Sequence, residues 1–76
     1  MKNLYVVYDK VSSVYNPPFI AENDETAIRS FNNAMEKHPF AEDMALYKVG
    51  TFNDDTDGAI EAIKPDFVCS YARKGE

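Results

Sequence analysis

Residues 23–39 read NDETAIRSFNNAMEKHP and predict a single amphipathic helix, against which the rest of the chain must pack. Asn23 or Asp24 is expected to cap the first backbone amides of the helix. Pro39 ends the helix, because the residue before a proline disfavours helical angles. The apolar positions recur at helical spacing along one face, at Ala27, Ile28, Phe31, Ala34 and Met35. This face has to be buried against another part of the chain.

Extended segments flank the helix on both sides. Residues 4–9 read LYVVYD, a short run of β-branched and aromatic residues that is typical of a strand. Further strands are expected at 14–21, where Pro17 and Pro18 interrupt the pattern, at 44–52, and within 59–71 as one or two segments. The order β-β-α-β-β predicts an α+β fold: a mainly antiparallel sheet with one helix packed across one face. We expect the 76 residues to form a single domain over 1–76.

The small size of the chain makes a partner subunit attractive. A domain of this length has a marginal core and often relies on a disulfide, a metal or a second copy. Cys69 is the single cysteine and His38 the single histidine, which excludes an intrachain disulfide and a His/Cys zinc cluster. The sequence therefore predicts a homodimer and no metal or other cofactor.

The formal charge of −5 disfavours a dedicated duplex-DNA-binding protein, whose affinity comes from cations that contact phosphates. No apolar run approaches the length that spans a membrane, so we expect no membrane partner and a soluble, intracellular protein.

Chemical motifs are sparse. The segment NDDTDG at 53–58 resembles the start of a calcium loop, but Lys64 occupies the position where a bidentate Glu is required, so a polar turn is the better interpretation. His38 lies at the predicted helix end, and Cys69 lies in a strand pattern, where neither has an activating partner fixed by spacing. The sequence therefore predicts that the protein is not an enzyme.

The first strand is apolar on both of its faces. Leu4, Val6 and Tyr8 alternate with Tyr5 and Val7, and one helix can cover only one face of a sheet. The uncovered face, predicted to carry Leu4, Val6 and Tyr8, has three possible fates: it packs on a second copy, it stacks on unpaired bases, or loops fold over it. In the first case Leu4, Val6 and Tyr8 form the dimer interface. In the second, the nucleic-acid site comprises Tyr8 with the nearby cations Lys2, Lys10, Lys48 and Arg73.

Several strings in a fixed order resemble a known viral family. They are LYVVYDK after Met1 and Lys2, the group Tyr15 with PPF at 17–19, AENDETAIRSF at 21–31 and LYKVGTFNDDTDG at 46–58. This order is similar to that of the small nonstructural proteins of the gokushoviruses, bacteriophages of the Microviridae with circular single-stranded DNA. The resemblance covers residues 1 to about 60 and leaves the C-terminal part unmatched.

The resemblance implies a protein that is made in the host bacterial cytoplasm, is absent from the capsid and acts in viral single-stranded DNA synthesis. No active-site residue is carried over from it. The first functional hypothesis is accordingly a non-enzymatic replication accessory protein with weak single-stranded DNA binding. The alternative is a protein-interaction module that binds a host or viral replication protein through its sheet edge or uncovered face.

Overall fold

The computed structural model describes residues 1–71, which form five antiparallel strands and one α-helix. Strand β1 lies inside the sheet, with β2 and β3 along one edge, β4 along the other, and β5 beyond β4. This arrangement confirms the predicted α+β class. The predicted second strand is instead two strands, because the segment with Pro17 and Pro18 leaves the sheet between them. The elements are β1 (Lys2–Asp9), β2 (Val14–Tyr15), β3 (Phe19–Ala21), α1 (Asp24–Met35), a 3-10 turn (Ala41–Asp43), β4 (Met44–Phe52) and β5 (Ile60–Ser70).

Helix α1 begins as the sequence predicts. The Asn23 side chain accepts a hydrogen bond from the Thr26 backbone N–H at 2.8 Å, which satisfies one of the free amides of the first turn. The buried face is narrower than predicted: Ala27, Phe31 and Met35 are buried, Ile28 is half-buried and Ala34 is exposed. Residues spaced by four align along the helix, so a helix over a narrow sheet buries this row and leaves the next one at the margin.

The core lies between α1 and one face of the sheet. Its largest fully buried side chains are Tyr5, Phe31 and Leu46. The Tyr5 hydroxyl donates to Asp24 Oδ1 at 2.6 Å and accepts from Asn3 Nδ2 at 3.1 Å, which ties the start of α1 to β1. Burial, together with the hydrogen bond to Asp24, raises the pKa of Tyr5 to about 12.

The pairing of β4 with β5 is irregular in its middle. The register shifts between Lys48 and Gly50, where the segment of β5 around Pro65 has no partner in the ladder. Pro65 is tolerated there because β5 is an edge strand and a proline has no amide to contribute. A Cβ on Gly50 would lie 2.5 Å from the Glu61 carbonyl oxygen, so the two strands approach too closely for any other residue.

The connection between β4 and β5 is a polar turn, as predicted. Gly58 has a φ of +68°, and the Asn53 side chain accepts from the backbone amides of Asp55 and Thr56 at 3.0 and 3.2 Å. Asp54 forms ion pairs with Lys2 Nζ at 2.8 Å and with the N-terminal amine at 3.2 Å. These two cations lower the pKa of Asp54 to about 2.

Candidate functional site

The sheet face away from α1 carries the candidate site. The core cluster contains Tyr5 and Leu46, so the residues that alternate with them in β1 and β4 point to the opposite side. Cross-strand partners share a face, which places side chains from the other strands beside them. We call this surface the open face; its apolar residues are Leu4, Val6, Tyr8, Tyr15, Ile20, Ala45, Tyr47, Phe52, Ile60, Ala62 and Phe67.

Four aromatic rings form a row across the open face. In strand order from β2 to β5 they are Tyr15, Tyr8, Tyr47 and Phe67. The ring centroids of successive members lie 4.5, 5.9 and 5.7 Å apart, within the range of aromatic contacts. The aromatic row therefore contains one ring from each of β2, β1, β4 and β5, and each ring packs against its neighbours.

The outer members of this aromatic row are the accessible ones. Tyr15 is 49% exposed and Phe67 is 56% exposed, whereas Tyr8 and Tyr47 are half-buried between them. Leu4 and Val6, which the sequence predicts in an interface, are 9% and 5% exposed in the single chain. They form the floor of the open face, and larger side chains on the flanking strands supply most of its accessible surface.

The other end of the open face is mainly aliphatic, with the ring of Phe52 among its side chains. Ile20 lies opposite Leu4 across the sheet, and Ile60 lies opposite Phe52. Both isoleucines are exposed. The open face therefore has an aromatic half and an aliphatic half, each with apolar side chains in contact with solvent.

The structure does not gather the predicted cations around Tyr8. Lys2 is on the open face but at the far end of β1, where its ion pair with Asp54 raises its pKa. Lys48 pairs in register with Tyr5, which places it on the helix side of the sheet. Lys10 is exposed in the turn after β1, and Arg73 lies outside the described residues.

The remaining candidate groups serve local structure. His38 Nδ1 accepts a hydrogen bond from the Phe40 backbone N–H at 3.0 Å, beyond the end of α1. Cys69 packs against the core cluster, where burial raises the pKa of its thiol. Residues 1–71 contain no group of three or more His, Cys, Asp or Glu side chains placed to hold a metal ion. Over the same residues, no helix is both long enough and apolar enough to cross a bilayer.

Sequence reasoning missed three of the four rings. Alternation along β1 identified Tyr8, but Tyr15, Tyr47 and Phe67 lie on other strands, and their faces depend on cross-strand register. The available signal was the pairing of 14–15 with the end of β1, which places Tyr15 opposite Tyr8 in a tight connection.

Comparison with known proteins places the chain in a viral family. The family model described as Phage ORF5 protein matches residues 2–73. The chain belongs to this family. The match includes all four rings of the aromatic row and every strand described above. Searches of curated proteins and of solved structures return no match.

Proposed function

We propose that this Phage ORF5 family member is a non-enzymatic accessory protein of viral single-stranded DNA synthesis, and that its open face binds unpaired bases. The observation that carries the proposal is the aromatic row on a sheet face that α1 leaves free. Its placement supports stacking, because Tyr15 and Phe67 expose about half of their surface at the two ends of the row. The resemblance to gokushovirus nonstructural proteins supports the biological setting.

Stacking fits this surface better than phosphate recognition does. Each base that stacks on an aromatic side chain contributes about 1–3 kcal/mol, whatever the base. Lys2 is already paired with Asp54, and Lys48 is on the other side of the sheet, so few phosphates would be neutralised. Binding should therefore be weak, indifferent to sequence, and selective for single strands over duplex, in which the bases are already stacked.

The test is a fluorescence-anisotropy titration of a labelled single strand of about 20 nucleotides, with the matching duplex as comparison, over a salt series. Tyr8→Ala and Phe67→Ala should each weaken single-strand binding about tenfold or more, since each removes a stacking ring. Phe40→Ala is the matched control, because Phe40 is an exposed ring in the connection between α1 and β4. Lys10→Ala should mainly reduce the salt slope, by about 0.7 log units for one lost contact.

Two outcomes would refute base stacking. One is the absence of single-strand binding in low salt at protein concentrations near 100 μM, a level at which about 5 kcal/mol of binding energy suffices. The other is equal weakening by Phe67→Ala and by the Phe40→Ala control.

A second candidate function is a module that binds a host or viral protein through the open face. The observation that favours it is the scarcity of free cations beside the aromatic row among residues 1–71, since a protein partner needs none. In this case the wild-type protein cross-links to a viral or host protein during infection, and Tyr8→Ala and Phe67→Ala abolish that cross-link. The purified wild-type protein then fails to bind single strands.

A further inference from the structure

We propose that two copies of this chain associate face to face through their open faces. This inference does not depend on DNA binding. Several of the large apolar side chains that residues 1–71 leave exposed lie on this one surface: Tyr15, Ile20, Ile60 and Phe67. Exposed apolar side chains that share one surface mark an interaction site, and burying them on a second copy needs no other component.

The area of the open face matches what a modest dimer requires. The sheet is four strands wide, because β2 and β3 occupy the same position beside β1, and neighbouring strands are about 4.8 Å apart. The long strands have 8 to 11 residues and extend by about 3.3 Å per residue. The face is therefore about 20 Å wide and about 30 Å long, so a full overlap buries about 1,200 Å² over both copies. This value lies at the lower limit of stable interfaces, the size class of weak and reversible association, and we therefore expect the dimer to dissociate on dilution.

Charge does not oppose this mode of association. The chain has a formal net charge of −5, so two copies repel each other overall. The aromatic row and its aliphatic neighbours are uncharged, however, and Lys2 at the margin of the open face is already paired with Asp54. The apolar side chains of the open face therefore add no like charge to a contact between two acidic chains.

The β5 edge of the sheet is a poorer site for a second copy. Strand β5 carries Pro65 in its middle, an irregular pairing beside it, and the charged residues Glu61, Lys64 and Asp66. Such features block edge-to-edge pairing of strands. The second copy therefore covers the face of the sheet and leaves the β5 edge free.

Sedimentation velocity of the full chain over a dilution series tests this proposal. The wild-type protein should change from about twice the chain mass of 8.6 kDa to the monomer mass on dilution through the micromolar range. Phe67→Glu places a charge in the aromatic half of each copy and should raise the dissociation constant at least tenfold. Ile60→Glu tests the aliphatic half in the same way. Phe40→Glu is the matched control, since it makes the same chemical change on an exposed ring off the open face.

The outcomes are decisive in both directions. A dimer that Phe67→Glu or Ile60→Glu disrupts and Phe40→Glu preserves supports the proposal, with circular dichroism establishing that the variants fold. A wild-type monomer at about 200 μM would overturn it, because an interface of this size should be populated there. A dimer that both open-face variants retain, or that Phe40→Glu abolishes, would place the interface elsewhere. Added single-stranded DNA distinguishes this proposal from base binding. If the DNA dissociates the dimer, both proposals are supported. If the dimer is unaffected by the DNA, association is supported without base binding.

Discussion

Tyr5 is the residue that joins the helix to the sheet. Its ring is fully buried in the core, and its hydroxyl reaches Asp24 in the first turn of α1 at 2.6 Å. A hydrogen bond to a charged partner contributes about 1.5–3 kcal/mol to stability. The bond exists only while the hydroxyl keeps its proton, so the pKa of about 12 makes the helix attachment sensitive to alkali.

Tyr5→Phe should lower the free energy of unfolding by about 1.5–3 kcal/mol at neutral pH. The pKa of Tyr5 is raised in the folded state above its ordinary value of 10.0, so its stabilising effect is complete below about pH 10 and is lost as the pH rises towards 12. The stability difference between the two proteins should therefore shrink over this range. Urea titrations at several alkaline pH values measure it, and a difference that stays constant to pH 12 would contradict the hydrogen bond.

At the scale of single residues, sequence patterns identified the side chains that act locally. The cap at Asn23, the buried positions of Phe31 and Met35, and the positive φ of Gly58 all follow from rules that involve a few neighbouring residues. Ala34 escaped these rules because its exposure depends on where the sheet ends beneath the helix.

The turn between β4 and β5 shows how an element uses its own polar groups. The Asn53 side chain accepts hydrogen bonds from two backbone amides, and the Asp57 side chain accepts one from the Ala59 amide at 3.0 Å. Asp54 forms ion pairs with Lys2 and with the N-terminal amine. These oxygens accept hydrogen bonds from the backbone amides of the turn and pair with the two cations at the start of β1. They are therefore not free to form the ligand shell that calcium needs.

Calcium should leave the melting temperature of the protein unchanged up to millimolar concentrations. The turn oxygens are already engaged, and Lys64 brings a positive charge where a calcium loop needs a carboxylate. Differential scanning fluorimetry with and without calcium measures this, with magnesium as the control cation. A saturable rise in melting temperature specific to calcium would show that the turn rearranges into a metal site.

The elements themselves were predictable to the extent that they are locally encoded. Strands β1 and β4 and helix α1 follow from composition and periodicity. Strand β5 runs through Pro65 without a break, which local rules disfavour, because an unpaired segment at the sheet edge accommodates the proline. β2 and β3 are separate strands because they pair with different parts of β1, which no local sequence rule specifies.

At the scale of the whole molecule, α1 covers one side of a two-layer protein and leaves the other side uncovered. The sequence indicated this asymmetry, since β1 is apolar on both faces and supplies Tyr8 to the open one. The full aromatic row was not predictable, because it depends on which residues of neighbouring strands lie opposite each other, and a register shift between Leu46 and Tyr47 brings Phe67 opposite Tyr47. Lys48 is separated from Tyr8 because it pairs with Tyr5, and alternation along the two strands places that pair on the opposite side of the sheet.

The open face is the surface through which we expect the protein to bind its partner. Aromatic-ring NMR signals, followed during both a dilution series and a titration with single-stranded DNA, test this most directly. Tyr8, Tyr15, Tyr47 and Phe67 should shift in at least one of the two series, while the buried rings of Tyr5 and Phe31 stay fixed and report on an intact core. Two results would contradict the assignment of the open face as the binding surface. In one, the signals of the aromatic row remain unchanged in both series. In the other, the shifts are confined to rings off the open face, such as Phe40.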